Sequence, residues 1–387
     1  MAKSFIAKNR SKIYRYLSIV CFIIIGFLIG VIFVEQVDKF IIVNLGEGRY
    51  LLFASVLMIS IVVSVFAQII IHEAGHLVFG LLSGYKFSSF RIGSLMLMKS
   101  DGKYILKRFS LPGTGGQCLM SPPEIENGRL KYKLFLLGGS IMNILAGLLF
   151  IVPYLMFSDI AYVSVFFVVL SLVGFIFGVM NGIPFSSGLV NNDGYTVLKL
   201  GKSSEALYSY WVSLKVAENI AKGVRIKDMP EEWFIIRNTH DIRNSLVLSR
   251  AVLRANRLID EHRFEEAENY INNLLTSRVN MAGIYEIVLN NELLYCELVG
   301  KARKEEIEII FDNGVKAFLR TMKNVPSTLR TMYSYEMLYN NDMDAAIKYK
   351  EKFEKIADSY PYKEEIDGER ELMDIADEIR KYRMENE

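Results

Sequence analysis

Residues 51–82 read LLFASVLMISIVVSVFAQIIIHEAGHLVFGLL, an apolar run that contains His72, Glu73 and His76 near its end. As a helix, the run is long enough to cross a hydrocarbon layer about 30 Å thick. Helical residues four positions apart share a face, so both histidines can bind one Zn²⁺ ion with Glu73 beside a water molecule. The pattern H-E-x-x-H therefore predicts a zinc site inside a membrane helix, with Glu73 as the catalytic base.

A purely structural interpretation of residues 72–76 is that they end a helix at the membrane interface, with both histidines bonded to backbone or lipid headgroups. Glu73 argues against this interpretation. Between Arg49 and the end of the last apolar span, it is the one charged side chain that we place within a membrane helix. An ionisable group in that position is costly, so we interpret it as functional.

The composition divides the chain into an apolar half and a polar half. Of its 387 residues 51% are hydrophobic, which is too many for an ordinary soluble protein. Residues 1–200 carry 17 basic and 9 acidic residues, whereas residues 201–387 carry 28 and 34. We expect an N-terminal membrane segment in residues 1–50, a membrane core in residues 51–200 and a cytoplasmic domain in residues 201–387.

The distribution of charged residues and cysteines disfavours two other kinds of binding site. The basic residues cluster beside apolar spans and form no groove motif with interleaved aromatic residues, so no nucleic-acid partner is expected. Cys21, Cys118 and Cys296 are far apart, without C-x-x-C spacing. We therefore expect buried, inert thiols and neither a disulfide framework nor a thiolate metal site.

Hydropathy predicts about four transmembrane helices in the lipid bilayer. They are Leu17–Val34, Leu51 to about Leu82, about Leu134 to Phe157, and Ile160 to about Ile183. The basic N-terminus and segment 84–133, which has nine Lys or Arg residues, are expected in the cytoplasm. The chain is then a multi-pass protein of a bacterial-type cell membrane with both termini cytoplasmic, and His72 lies near the inner boundary.

A catalytic zinc ion usually takes a third protein ligand. His240 and His262 lie in the polar half, where we expect a solvated surface role. Asp193 follows the fourth span within NGIPFSSGLVNNDG, residues 181–194, and is predicted at the same depth as His72. The sequence favours Asp193 as the third ligand, and the alternative is an Asn-Asp-Gly turn leaving the membrane.

The order of these motifs resembles the site-2 protease family of intramembrane metalloproteases. That family has H-E-x-x-H on one helix, a G-P-x-x-N type segment on the next, and N-x-x-P leading to D-G after a third. Here the corresponding residues are His72–His76, Gly139–Asn143, Asn181–Pro184 and Asp193–Gly194, within about residues 50–200. The family's proline is Ser140, and Asn192 replaces leucine before the aspartate.

The resemblance implies zinc binding by His72, His76 and Asp193, with Glu73 as general base. Asn143 and Asn181 are polar amides in apolar helices. We hypothesise that they orient the substrate backbone or the reacting oxygen, and hydrogen bonding between helices is the alternative.

Segment 84–133 predicts a small β-hairpin insertion. Phe90–Met98 and Tyr104–Phe109 alternate apolar and polar residues, with turn signals at Asp101-Gly102 and Gly113–Gly116. An exposed strand edge there would hold a substrate in extended form by strand addition. A merely structural hairpin is the alternative.

The C-terminal half predicts an α-helical repeat domain. Segments beginning at Leu258, Leu298 and Leu338 align at a spacing of 40 residues, and the last resembles a tetratricopeptide repeat. Such an array would bind a protein partner, or serve only as a cap that steadies the membrane core.

The predicted fold is mainly α, with a multi-pass helical membrane core, a β-hairpin insertion and C-terminal helical repeats. The predicted function is a zinc metalloendopeptidase that cleaves a transmembrane segment or a membrane-embedded hydrophobic peptide near the cytoplasmic face. The alternative is a noncatalytic membrane receptor or immunity factor that keeps the protease scaffold and acts through its helical repeats.

Overall fold

The computed structural model describes residues 50–386, except 101, 111–113, 187–190, 237–241, 243, 278–282 and 312–314. Within these residues lie thirteen α-helices and four β-strands, together with 3₁₀ helices at Ile226–Asp228 and Glu231–Phe234. The helices are α1 (Tyr50–Leu82), α2 (Lys133–Met156), α3 (Ala161–Gly182), α4 (Asp193–Leu200), α5 (Ser204–Ala221), α6 (Ser245–Asp260), α7 (Phe264–Thr276), α8 (Gly283–Val299), α9 (Lys304–Ile310), α10 (Lys316–Thr321), α11 (Pro326–Leu338), α12 (Met343–Ala357) and α13 (Lys363–Asn386). The strands are β1 (Lys86–Ile92), β2 (Leu95–Ser100), β3 (Lys103–Arg108) and β4 (Gly116–Ser121).

Helices α1, α2 and α3 are long and apolar enough to span a membrane. Their bounds differ by at most one residue from those expected for the second, third and fourth spans. The first expected span, Leu17–Val34, lies outside the described residues. The prediction of a mainly helical protein is thus confirmed, together with three helices that are long and apolar enough to cross a membrane.

A pair of glycines lets α1 and α2 approach each other at the backbone. A Cβ atom on Gly75 would lie 2.3 Å from the Gly138 carbonyl oxygen, and one on Gly138 would lie 2.6 Å from the Gly75 oxygen. Any larger residue would therefore push the helices apart, as at other small-residue contacts between membrane helices. The close approach brings the next residue of α2, Gly139, against the ring of His72.

The four strands form an antiparallel sheet in the order β3-β2-β1-β4, so β4 lies at one edge. Residues Phe90–Met98 do not form one strand, because the chain turns at Gly93 and Ser94 and pairs Ile92 with Leu95. Gly93 has φ +56°, a conformation that glycine adopts without strain. The insertion is therefore a four-stranded sheet, and β4 is a strand that the sequence did not predict.

The chain divides into two compact units. Among the described residues, the first contains residues 50–87, 115–118 and 126–202, and the second contains residues 88–114, 119–125 and 203–386. Most of the sheet thus groups with the C-terminal helices, although the sequence placed it within residues 51–200.

Hydrogen bonds connect the sheet region and the C-terminal helices within the second unit. Trp211 Nε1 donates to the Pro123 carbonyl at 2.9 Å, and Lys107 Nζ donates to the Tyr360 carbonyl at 3.1 Å. Lys215 Nζ also pairs with Glu124 at 2.9 Å. These contacts explain why the insertion and the helices form one unit.

The three aligned segments of the C-terminal half each form a helix, a short turn and a second helix. The turns lie between α6 and α7, between α8 and α9, and between α11 and α12. Each turn contains one non-glycine residue with positive φ, namely His262, Ala302 or Asn341. This shared geometry supports the alignment, while the repeat architecture itself stays a prediction.

Candidate metal centre

His72 and His76 lie one turn apart on α1, and their Nε2 atoms are 3.1 Å from each other. Asp193, the first residue of α4, brings its Oδ2 atom to 3.3 Å from His72 Nε2 and 3.4 Å from His76 Nε2. The structure therefore brings together the three candidate ligands named from the sequence. They form a group whose ligand atoms all lie within 4.8 Å of one another.

Hydrogen bonds at the other ring nitrogens orient both histidines. His72 Nδ1 lies 2.7 Å from Asn143 Oδ1, and His76 Nδ1 lies 2.9 Å from the Phe135 carbonyl oxygen. Because both partners are acceptors, each Nδ1 carries the proton and each Nε2 presents a lone pair. Such second hydrogen bonds are typical of histidines that ligate metals.

Gln68 fixes the orientation of the Asn143 amide. Asn143 Nδ2 donates to the Gln68 side-chain oxygen at 2.8 Å and to the Gln68 backbone carbonyl at 2.9 Å. Gln68 Nε2 in turn donates to the Leu170 carbonyl at 3.0 Å. A buried chain of hydrogen bonds thus runs from α3 through Gln68 and Asn143 to His72.

Sequence reasoning missed Gln68. The signal was present, because Gln68 is a polar residue in an apolar helix, four residues before His72 and on the same face. From the sequence we hypothesised that Asn143 orients the substrate backbone or the reacting oxygen. In the structure it contacts His72, one of the proposed ligands.

The three facing atoms fit a small cation. Two Nε2 lone pairs and a carboxylate oxygen repel one another unless a positive charge lies among them. For tetrahedral ligands at about 2.0–2.1 Å from a zinc ion, the ligand atoms are about 3.3 Å apart, close to the observed 3.1–3.4 Å. Asp193 Oδ2 is also buried and accepts no hydrogen bond from the described residues.

Asn192 positions Asp193 at the start of α4. Its Oδ1 atom caps the helix by accepting from the Tyr195 backbone N–H at 2.9 Å, and it also accepts from the Phe185 N–H at 2.9 Å. Its Nδ2 atom donates to the Ile183 carbonyl at 2.6 Å. Asparagine is among the preferred N-cap residues, and its substitution by leucine would remove these bonds.

A glycine contact holds α4 against the end of α3. A Cβ atom on Gly194 would lie 2.2 Å from the Gly182 carbonyl oxygen. Gly194 therefore permits the approach that brings Asp193 to the histidines, and any other residue there would displace α4.

Glu73 lies beside the first residues of β4, which belong to the same unit. A Cβ atom on Gly116 would lie 2.7 Å from Glu73 Cγ, and the Cys118 backbone N–H donates to the Glu73 carboxylate. Burial and the nearby Glu73 charge raise the pKa of the Cys118 thiol to about 12. Cys118 therefore stays a neutral thiol near the site, and Cys296 is buried.

Among the described residues, the ligand group includes none of the other candidate residues. Asn181 Nδ2 donates to the Phe177 carbonyl of its own helix at 3.0 Å. His262 is 40% exposed and lies 3.7 Å from Glu371 in the second unit. His240 lies outside the described residues.

Comparison with known proteins found no matching family model, curated protein or solved structure. The resemblance to site-2 proteases therefore rests on the motif residues and their spacing.

Proposed function

We propose that this chain is a zinc metalloendopeptidase that hydrolyses peptide bonds within a membrane. The observation that carries the proposal is the group formed by His72, His76 and Asp193, with Glu73 beside it on an apolar helix. Three ligands and an adjacent carboxylate are the parts that a catalytic zinc site requires.

Two imidazoles and one carboxylate suit zinc among the common divalent ions, since oxygen-only sites suit magnesium and calcium. When bound, zinc would supply a Lewis acid that polarises a carbonyl and lowers the pKa of water.

Glu73 would move the protons of the reaction. Its carboxylate accepts a proton from the attacking water and later gives that proton to the leaving amine. The Cys118 backbone N–H would hold the carboxylate in place through its hydrogen bond. Asn143 would orient His72, so its role is positioning rather than contact with substrate.

The proposed substrate is a transmembrane segment or a short hydrophobic peptide embedded in the lipid bilayer. Peptide carbonyls inside a helix are already hydrogen-bonded, so a substrate must unwind before attack. Edge strand β4 begins beside Glu73, and strand addition at this edge would hold an unwound segment next to the catalytic carboxylate. Cleavage is proposed near the cytoplasmic face of a bacterial-type cell membrane.

The test compares Glu73→Gln, His72→Ala and the control Glu126→Gln in full-length protein reconstituted in lipid. Glu126 is exposed and does not belong to the ligand group. We expect Glu73→Gln to bind zinc at normal stoichiometry without cleaving a membrane peptide, His72→Ala to lose both properties, and the control to keep both. Normal cleavage by Glu73→Gln would refute the proposal.

The same experiment addresses the noncatalytic receptor that the sequence left as an alternative. Wild-type protein that binds zinc yet cleaves no member of a library of hydrophobic membrane peptides would favour the receptor.

A further inference from the structure

A cavity of about 250 Å³ lies among the helices of the second unit. Residues of α5, α6, α8, α11 and α13 line it. Part of the lining is apolar and includes Leu253 and Val288. The rest is acidic, with five carboxylates at Asp260, Glu292, Glu364, Glu365 and Glu369.

Two arginines neutralise only part of this acidic lining. Arg225 Nε donates to Asp260 Oδ1 at 3.2 Å. Arg330 donates from Nη2 to Glu292 at 2.7 Å and from Nε to Glu369 at 2.9 Å. The cavity lining therefore has a net charge of about −3 with all groups ionised.

Glu364 and Glu365 take part in none of the ion pairs formed by the described residues. Glu365 accepts a hydrogen bond from the Tyr360 hydroxyl, and burial raises the pKa of Glu365 to about 7. A carboxylate without a cation in such a place is costly, and perturbed acids in cavities are typical of binding sites.

Arg330 supplies a second and independent indication of a ligand. Its side chain is 1% exposed and stacks over the Tyr295 ring at 4.1 Å. Nevertheless, its Nη1 atom is buried and has no hydrogen-bond partner among the described residues. Asn256, which also lines the cavity, has a buried Oδ1 atom to which no group in the described part of the chain donates a hydrogen bond. Within the described structure, Glu364 and Glu365 thus have no cation, Arg330 Nη1 has no acceptor and Asn256 Oδ1 has no donor.

A metal ion would not satisfy these groups. Within the part of the chain that the structure describes, three metal-ligating atoms converge within 4.8 Å only at His72, His76 and Asp193. The cavity carboxylates do not bring three oxygen atoms that close together. They therefore suit an extended organic cation.

We propose that this cavity binds the free amino terminus of a peptide. A peptide begins with an ammonium group, followed by a carbonyl oxygen and then an N–H, which are the three groups that the cavity lacks. The ammonium group pairs with Glu365 and Glu364, the first carbonyl accepts from Arg330 Nη1, and the next N–H donates to Asn256 Oδ1. The first side chain packs against Leu253 and Val288.

A lysine side chain matches the cavity less well. Its ammonium group lies at the end of a four-carbon stem, with no carbonyl oxygen next to it that could accept a hydrogen bond. Arg330 Nη1 would therefore stay unpaired. The inference is independent of the function proposed for the metal centre, because every group named here belongs to the second unit.

The test measures binding of two probes to the full chain in detergent by calorimetry. One probe is the dipeptide Leu-Ala-amide, and the other is its N-acetylated form, which keeps the shape and loses the charge. A hydrogen bond to a charged group contributes about tenfold to hundredfold in affinity, so we expect the free amine to bind at least tenfold more tightly. N-acetyl-lysine-amide is the third probe and should bind more weakly than Leu-Ala-amide.

Glu365→Gln should weaken binding of Leu-Ala-amide about tenfold or more. The matched control is Glu354→Gln, which removes an exposed carboxylate that pairs with Arg370 at 2.8 Å and lies away from the cavity lining. It should leave the affinity unchanged. Equal affinity for the free and acetylated dipeptides, no binding of either, or tighter binding of N-acetyl-lysine-amide would overturn the proposal.

Discussion

Substitution of Gly139 by alanine is the sharpest structural test of the metal centre. A Cβ atom at this position would lie 2.4 Å from His72 Cε1 and 2.6 Å from both ring nitrogens. An ordinary contact begins near 3.4 Å, so the imidazole must move by about 1 Å. Metal–ligand distances tolerate only about 0.2 Å, so Gly139→Ala should weaken metal binding even though it removes no ligand.

We expect a loss of zinc affinity of about a hundredfold, at the upper end of the effect of removing a residue that supports a ligand. The overpacked contact should also destabilise the protein by about 1–3 kcal/mol. The assay is a competitive zinc titration of purified protein in detergent, together with a thermal unfolding scan that verifies the fold.

Gly182→Ala is the matched control for this change. It adds the same methyl group to α3 near the site, but the nearest side-chain atom is Ser140 Cβ at 3.4 Å, an ordinary contact. Its zinc affinity should stay at the wild-type value. If folded Gly139→Ala protein bound zinc as tightly as the wild type, the assigned position of the His72 ring would be incorrect.

Three further outcomes follow from the described contacts. Asn143→Ala removes the acceptor at His72 Nδ1 and should weaken zinc binding about tenfold to hundredfold in the same titration, whereas an unchanged affinity would contradict its positioning role. Burial raises the pKa of Glu365 from 4.5 to about 7, so the folded state holds the Glu365 proton more tightly than the unfolded state does. The contribution of Glu365 to the free energy of unfolding is therefore fully present below pH 4.5 and is lost as the pH rises through about 7. Glu365→Gln should therefore reduce the fall in unfolding free energy over this pH range, by up to about 3 kcal/mol. The measurement is denaturant unfolding of the ligand-free protein, and an unaltered pH profile would count against the raised pKa. Phe353 is 0% exposed, and Phe353→Ala should lower the free energy of unfolding by about 3–5 kcal/mol. Tyr382 is 68% exposed, so Tyr382→Ala should lower it by less than about 0.5 kcal/mol. Similar losses for both variants would contradict the packing.

Local spacing made part of the metal centre predictable. His72 and His76 share a helix, so their separation of four residues determines that they face one direction. Asp193 was harder, because it reaches the histidines only through the fold of α3 and α4. The sequence named it from its predicted membrane depth, whereas its distance of 3.3 Å from His72 was not accessible from the sequence.

The contacts that hold the ligands were less accessible. His76 Nδ1 bonds to the backbone carbonyl of Phe135, and a backbone partner has no side-chain identity that a sequence could reveal.

The sheet was predicted only in outline for a related reason. Leu95 and its neighbours continue the apolar pattern across the Gly93 turn, so the hydrophobic residues alone did not mark the end of β1.

The attachment of Asp193 through Asn192 has a consequence for assembly of the three apolar helices. His72 and His76 belong to α1, the first of the three long apolar helices, whereas Asn192 ties Asp193 to the end of the third, α3. A cation held by all three would join distant parts of the chain, much as a disulfide closes a loop. Biogenesis of this protein would then depend on metal supply, because the cation would fasten the start of α4 to the first helix.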